Sequence, residues 1–384
     1  MKYSNSNSAV LLRGGKDYFE KLIAIIQTAK KHIFLQTYIY EEDQTGELIA
    51  KTLQAAADRN VLVYIIVDGY ASQSLSNSFK EKFVKAGVHL KFFEPIFKST
   101  HFYFGRRMHQ KVVIADSNRA LVGGINISNK YNDMPNKSAW LDFAVYLEGD
   151  IAIELCDNFW KTWKGNLNDE VKNICSPLET QQPFDLDKKC DVRMRVNDWV
   201  ASKNQISRTY FEMLRKSKKE ITILCSYFIP GKLMRNEMLK AVKRGVNIKI
   251  ITAGNSDVQL AKNAERWLYD WMLRNKIELY EYQKNILHGK IAVSDEEWIT
   301  IGSYNINNIS AYASLELNVD IKNHAFATKT KDVLENIIQK ECVKITSQHH
   351  MKTKNILIQF WRWISYQFIR IIFILCTFYF KQSH

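Results

Sequence analysis

Hydrophobic and polar positions along this chain follow two rhythms, and the rhythms alternate. A period near 3.6 residues runs from Asp17 to Lys31 through Phe19, Leu22, Ile23, Ile25 and Ile26, which predicts a helix. Ile33 to Tyr40 then reads as a strand, Gly46 to Asn60 as a helix and Val61 to Val67 as a strand. Phe79 to Ala86 returns to helical spacing, and His89 to Phe93 to a strand. This βαβ alternation predicts a mainly parallel sheet covered on both faces. Val112 to Ala115 and Leu141 to Leu147 add strands. Ile151 to Lys164 adds a helix whose Phe159, Trp160 and Trp163 are spaced as core residues.

The pattern then stops and starts again. Gly165 to Lys189 is weakly patterned, with Pro177 and Pro183, and reads as a linker. Beyond it come a helix over Ser207 to Ser217, a strand over Ile221 to Phe228 and a helix over Met234 to Arg244. Val246 to Thr252 answers Val61 to Val67, and Tyr38 and Tyr227 fall at matching places. Val258 to Arg274 reads as one helix, followed by strands at Ile277 to Tyr282, Ile291 to Val293 and Leu315 to Ile321. The expectation is an α/β chain of two repeated lobes, residues 10–164 and 191–345, joined by a linker over 165–190.

The repeat carries chemistry. His109, Lys111, Asp116, Gly123 and Asn126 recur as His288, Lys290, Asp295, Gly302 and Asn305, all 179 residues later. His109 and Lys111 are two apart on an extended segment, so both project from one face, as do His288 and Lys290. Asp116 sits at odd spacing beyond the strand, which suits it and Asp295 to bracing a turn or a basic neighbour. The glycines Gly123, Gly124 and Gly302 allow close approach to a ligand, and Asn126 and Asn305 offer amide donors. Each half thus brings an imidazole, an ammonium and an amide, which is half of a phosphate site.

These residues resemble the signature of the phospholipase D superfamily, H-x-K-x4-D-x6-G-S-x-N in two copies. Gly124 departs from it, standing where the family has Ser, and so loses a hydroxyl donor. The resemblance implies two phospholipase D-like α/β lobes meeting at one active site, and a covalent phosphohistidine intermediate. It implies a catalytic set of His109, Lys111, Asp116, His288, Lys290 and Asp295, with Asn126, Asn305 and Ser303 on the phosphate. Asp142 and Glu316 are acids in otherwise apolar strands, at the place where the family has a carboxylate. The expectation is that Asp142 orients His109 and Glu316 orients His288; a plain surface carboxylate is the other reading. Flanking words narrow the family. Ile33 to Gly46, Phe92-Phe-Glu-Pro95, Leu147-Glu-Gly149, Ser303 to Ser310 and Leu315-Glu-Leu-Asn318 look like bacterial cardiolipin synthases. That resemblance implies a phosphatidyl transferase using phosphatidylglycerol without a cofactor or metal. A phospholipase D releasing phosphatidic acid, a nuclease of the superfamily and a membrane-associated scaffold remain as rivals.

Two further stretches bear on partners. In Pro95 to Arg107, Phe97, Phe102, Tyr103 and Phe104 interleave with Lys98, Arg106 and Arg107, as a loop packed on the lobe or as a lip for an anionic amphipathic substrate. Asn355 to Phe380 is apolar and aromatic. Gln359, Arg362, Tyr366, Arg370 and Thr377 form one polar stripe along it. Two arginines disfavour a spanning helix, so 355–380 reads as an interfacial helix with its stripe toward water, or as a docked core helix.

Composition changes this picture only in part. The net charge of +14 and pI of about 9.3 favour polyanionic partners, nucleic acid or anionic lipid. The apolar tail weighs for a membrane surface and against nucleic acid. The basic residues Lys340, Lys344, Lys352 and Lys354 add attraction to anionic lipid. The six cysteines show neither metal spacing nor a disulfide framework, which suits a reducing cytosol. Met1 to Ala9 is polar, with no signal peptide or span. The expected place is peripheral, on the cytoplasmic face of the cell membrane.

Overall fold

The computed structural model describes residues 2–95, 106–164, 174–176, 189–307, 310–311, 314–348 and 355–381. Most of the expected linker, and Phe97, Lys98, Phe102, Tyr103 and Phe104 of the expected lip, lie outside the described residues. The chain divides into two compact units. Met1–Arg195 forms the first together with Ile301–Ser303 and Glu316–Asn323, and the second comprises Val196–Thr300, Tyr304–Leu315 and His324–His384. The strand segment carrying Glu316 therefore belongs with the first unit, whereas the repeat in the sequence places all of 191–345 in the second lobe.

The first unit holds the βαβ alternation expected of it. Strand His32–Thr37 runs parallel to Leu62–Asp68, which runs parallel to His89–Phe93. On the other side of His32–Thr37 the sheet turns antiparallel, through Val112–Ala115, Arg119–Gly123, Phe143–Gly149 and the first strand, Ser4–Arg13. The sheet is thus mixed: parallel where helices make the crossovers, antiparallel where short connections permit hairpins. Helices Lys16–Thr28, Gln44–Asp58 and Asn77–Lys85 bury Leu22, Ile26, Ile49, Leu53 and Phe79 in one core. Helix Ile151–Lys164 covers Phe34, with Phe159 stacked on that ring at 4.9 Å and Trp160 edge-on at 5.4 Å.

The second unit repeats the plan. Glu220–Cys225 is parallel to Asn247–Asn255, which is parallel to Glu278–Ile286, while Lys290–Ser294 lies antiparallel beside the first of these. The long helix expected over Val258 to Arg274 is two helices, Gln259–Trp267 and Tyr269–Arg274, meeting at Leu268. Beneath them Lys262, Glu265, Tyr269 and Glu281 are buried together. Lys262 Nζ lies 2.6 Å from Glu265 and 3.2 Å from Glu281, and Tyr269 Oη donates to Glu281 at 2.8 Å. Buried charges require such mutual pairing, and the periodicity of apolar residues does not reveal it.

Two expectations are corrected here. Cys156 and Cys175 form a disulfide, with Cα atoms 5.7 Å apart, so the cysteine-based ground for a reducing compartment falls away. The two stand 19 residues apart and carry no motif that would pair them. The second correction concerns the last helix, Ile356–Lys381. The first part of its polar stripe faces the second unit: Gln359 Nε2 and Arg362 Nη1 are buried, and Tyr366 packs on the core beside Ile369, whereas Arg370 is exposed. Trp361, Trp363 and Phe368, expected beneath, are exposed. Periodicity defines two faces of a helix but not which of them docks.

Candidate active site

The motif aspartates make turns. Asp116 and Ser117 both have left-handed backbone, and Asn118 N donates to Ala115 O, closing the hairpin between Val112–Ala115 and Arg119–Gly123. The Asp116 carboxylate accepts from the backbone N–H groups of Lys30, Lys31 and His32 and pairs with Arg119 at 3.0 Å. Asp295 and Glu296 repeat that turn. The Asp295 carboxylate accepts from Lys218 N, Lys219 N, Glu220 N and Ser217 Oγ at 2.7–2.9 Å. Burial pushes the Asp295 carboxyl up, but those donors outweigh it and hold its pKa below the ordinary value. Both aspartates are braces between strand ends, so their place in the catalytic set is corrected to a structural one.

The histidine and lysine of the first unit come just before strand Val112–Ala115, beside the carboxyl ends of His32–Thr37 and Leu62–Asp68. Asp68 fixes this entry: its carboxylate accepts from Met108 N at 2.9 Å and lies 3.6 Å from Arg107. Lys111 is buried, its ammonium donating to His109 O at 2.6 Å and standing 5.0 Å from the centre of the Tyr38 ring. Tyr38 also meets the His109 ring edge to face at 4.9 Å. Burial, then Asp68, pushes the Tyr38 phenol up to about 12, so it stays protonated at any physiological pH. The matching places of Tyr38 and Tyr227 were the signal for this residue in the sequence.

The partner of His109 is Glu316. Its fully buried carboxylate lies 2.9 Å from His109 Nδ1. This corrects the expected pairing, in which Asp142 served His109 and Glu316 served His288. A donor N–H at Nδ1 fixes the tautomer and puts the imidazole lone pair on Nε2. Ser303, expected on the phosphate, acts on Glu316 instead. Its hydroxyl donates to the same carboxylate oxygen at 2.5 Å and accepts from Leu317 N at 3.1 Å. Ser303 is a positioning residue.

At Gly124, the first-copy counterpart of Ser303, the departure from the family signature has a steric reason. A Cβ there would lie 2.5 Å from Asp142 Oδ1 and 2.7 Å from Oδ2. Asp142 is fully buried and is one carbon shorter than Glu316, so its carboxylate fills the space that a serine side chain would need. Gly123 and Gly302 admit a neighbouring strand rather than a ligand, for Cβ atoms there would lie 2.5 Å from Phe143 O and 2.2 Å from Leu317 O.

The amides are oriented by their oxygens. Asn126 Oδ1 accepts from Ile39 N at 3.1 Å, which leaves Nδ2, buried and without a partner, as a donor. In the second unit Asn305 Oδ1 accepts from Ser226 Oγ at 2.8 Å. His288 and Lys290 are both buried; Lys290 Nζ lies 2.9 Å from His288 Nδ1 and also donates to His288 O. Each unit thus places an imidazole beside a buried ammonium. No group of three or more metal-binding side chains occurs among the described residues.

A fold of two such units, with these elements, is found in known proteins. The phosphatidylserine synthase of Haemophilus influenzae Rd KW20 superposes over 97% of this chain and 95% of its own, with a TM-score of 0.74 and 12% identity. The family described as cardiolipin synthase, PLD-like domain, matches residues 22–163 and 210–338. Cardiolipin synthase B of Escherichia coli (strain K12) is 31% identical over 348 residues, covering 89% of this chain and 83% of that protein. The cardiolipin synthase of Halalkalibacterium halodurans is 27% identical over 86% of this chain and 64% of that protein. The class is that of phospholipase D-like proteins with a doubled motif. Within it, the chain belongs to the cardiolipin synthase family.

Proposed function

We propose that this protein transfers a phosphatidyl group from one phosphatidylglycerol to another, making cardiolipin and releasing glycerol. The observation that carries the reading is the His109–Glu316 pair, which gives Nε2 of His109 a lone pair and gives the ring a carboxylate to support positive charge. In the first displacement Nε2 attacks the donor phosphorus. The P–N bond forms, the P–O bond to glycerol breaks, and His288 gives its proton to the leaving oxygen. In the second, the hydroxyl of another phosphatidylglycerol loses its proton to His288 and displaces His109. Lys111, Lys290, Asn126 and Asn305 hold the non-bridging oxygens as charge builds on them. The lysines supply the positive charge, and no cofactor enters the scheme. The partners are a phosphatidylglycerol-bearing lipid surface and no nucleic acid, with the protein peripheral to the cell membrane.

The test is a quench of the purified protein with phosphatidylglycerol, followed by peptide mass spectrometry under alkaline conditions that preserve phosphohistidine. The phosphatidyl adduct is expected on His109 and is to disappear in His109→Ala. An adduct on His288 alone would reverse the two roles. Phosphatidic acid as the sole lipid product would make the enzyme a hydrolase. Cleavage of single-stranded DNA without lipid turnover would make it a nuclease.

A further inference from the structure

Helix Ile356–Lys381 turns the usual arrangement of a surface helix inside out. Gln359, Arg362, Ser365, Tyr366 and Ile369 lie toward the second unit, along helix Gln259–Trp267. The opposite face carries Phe360, Trp361, Phe368 and Ile371, exposed by 53%, 64%, 49% and 54%. Ile356 and Leu357 extend the same face and are more open still. An apolar face of this size on a protein surface marks a partner. The partner must accept aliphatic and indole side chains together.

We propose that this face lies in the plane of an anionic lipid leaflet, with the second unit clamped to the helix through its polar side. Three observations choose a leaflet over a second copy of the chain. No acidic residue follows Glu341, and the net charge is +14, so the surroundings of the face complement anionic head groups and repel a like copy. Trp361 and Trp363 are side chains that settle at the head-group level. The polar edge of the face is Arg370, exposed and bonded to Gln367, which can reach lipid phosphates. Because Gln359, Arg362 and Tyr366 are held against the second unit, the enzyme cannot swing on a flexible anchor. The substrate leaflet and the second unit keep one orientation. This inference rests on the phospholipid reading for its biological sense, but its physical content does not depend on catalysis.

The experiment is flotation of the full chain with vesicles of phosphatidylglycerol and phosphatidylcholine, and with phosphatidylcholine alone. Wild type is expected to float with the anionic vesicles, and Trp361→Glu/Phe368→Glu to lose at least tenfold in bound fraction. The variant is to keep its melting temperature and its lipid turnover in detergent micelles. Undiminished flotation of a folded variant would overturn the proposal. So would a lipid-free dimer of the wild type that the same substitutions dissociate while flotation persists, because the face would then be a chain-to-chain interface. Should the variant not fold, quenching by spin-labelled lipid decides: it is to be strong in the wild type and reduced in Trp361→Phe/Trp363→Phe, and equal quenching in both would overturn the proposal. Turnover in micelles tests the transferase reading separately. A wild type that floats but turns over no lipid would defeat that reading and leave the docking surface standing.

Discussion

The chemistry of the first unit turns on a chain of three side chains, Ser303 to Glu316 to His109, in which each fixes the next. Removing the charge of Glu316 while keeping its shape isolates its part. Glu316→Gln is expected to lower kcat by about 10²- to 10⁴-fold with little change in KM, because the carboxylate acts on the charged ring and not on the lipid. Steady-state kinetics in mixed micelles would check this, and a loss in KM alone would count against it. Ser303→Ala should be milder, roughly a tenfold fall in kcat, since one hydrogen bond to a charged group contributes about 1.5–3 kcal/mol at most. Substituting Ser at Gly124 should harm, not help, although it restores the family signature. Its side chain would collide with the buried Asp142 carboxylate. The signature marks which residues matter. It could not tell which acid serves which histidine, because Glu316 comes from the second copy of the repeat and works in the first unit.

At the scale of elements, the repeated hairpin turn is where fold and motif meet. The same left-handed pair of residues occurs at Asp116-Ser117 and Asp295-Glu296, and each aspartate ties its turn to the start of a parallel strand. Asp295→Asn is expected to destabilise the protein by about 1–3 kcal/mol at pH 7. The sign with pH follows from its lowered pKa: the ionised group contributes stability above the unfolded value of about 3.9, and loses it as pH falls through the folded value. Denaturant titrations should therefore show wild type and variant converging in acid. His32 adds a second slope. Burial, opposed by Asp116, lowers its pKa to about 4, whereas the unfolded side chain titrates near 6.5. The unfolded chain binds the proton first, so stability should fall by up to about 3 kcal/mol as pH drops from 6.5 to 4. His32→Phe should flatten that slope. Periodicity made most helices and strands legible, because each buries one regular face. It missed the break at Leu268, since Lys262 and Glu265, inside what looks like a continuous helix, are buried against Glu281 of the strand Glu278–Ile286.

For the whole molecule, the doubled motif, the α/β units and the family were legible from residues alone, whereas the antiparallel side of the sheet was not, since the expectation was a mainly parallel one. The disulfide and the outward face of the last helix were not, because both depend on what packs against what. The reaction itself offers the last prediction. In the proposed transfer a phosphohistidine would keep the free energy of the donor's phosphodiester bond, and the product would have a bond of the same kind. Transfer between two glycerol hydroxyls is therefore close to thermoneutral and reversible, and no nucleotide is needed to drive it. Purified protein in phosphatidylglycerol vesicles should make cardiolipin and glycerol until the two directions balance. Added glycerol should suppress net cardiolipin and, starting from cardiolipin, should regenerate phosphatidylglycerol. In the proposed scheme the buried lysines Lys111 and Lys290 supply the charge that stabilises the transition state, so a chelator should leave both directions intact. Lipid mass spectrometry with labelled glycerol reads all of this in one set of samples. Label entering phosphatidylglycerol demonstrates the reverse transfer. Its absence, with phosphatidic acid accumulating instead, would show that water and not a glycerol hydroxyl is the acceptor.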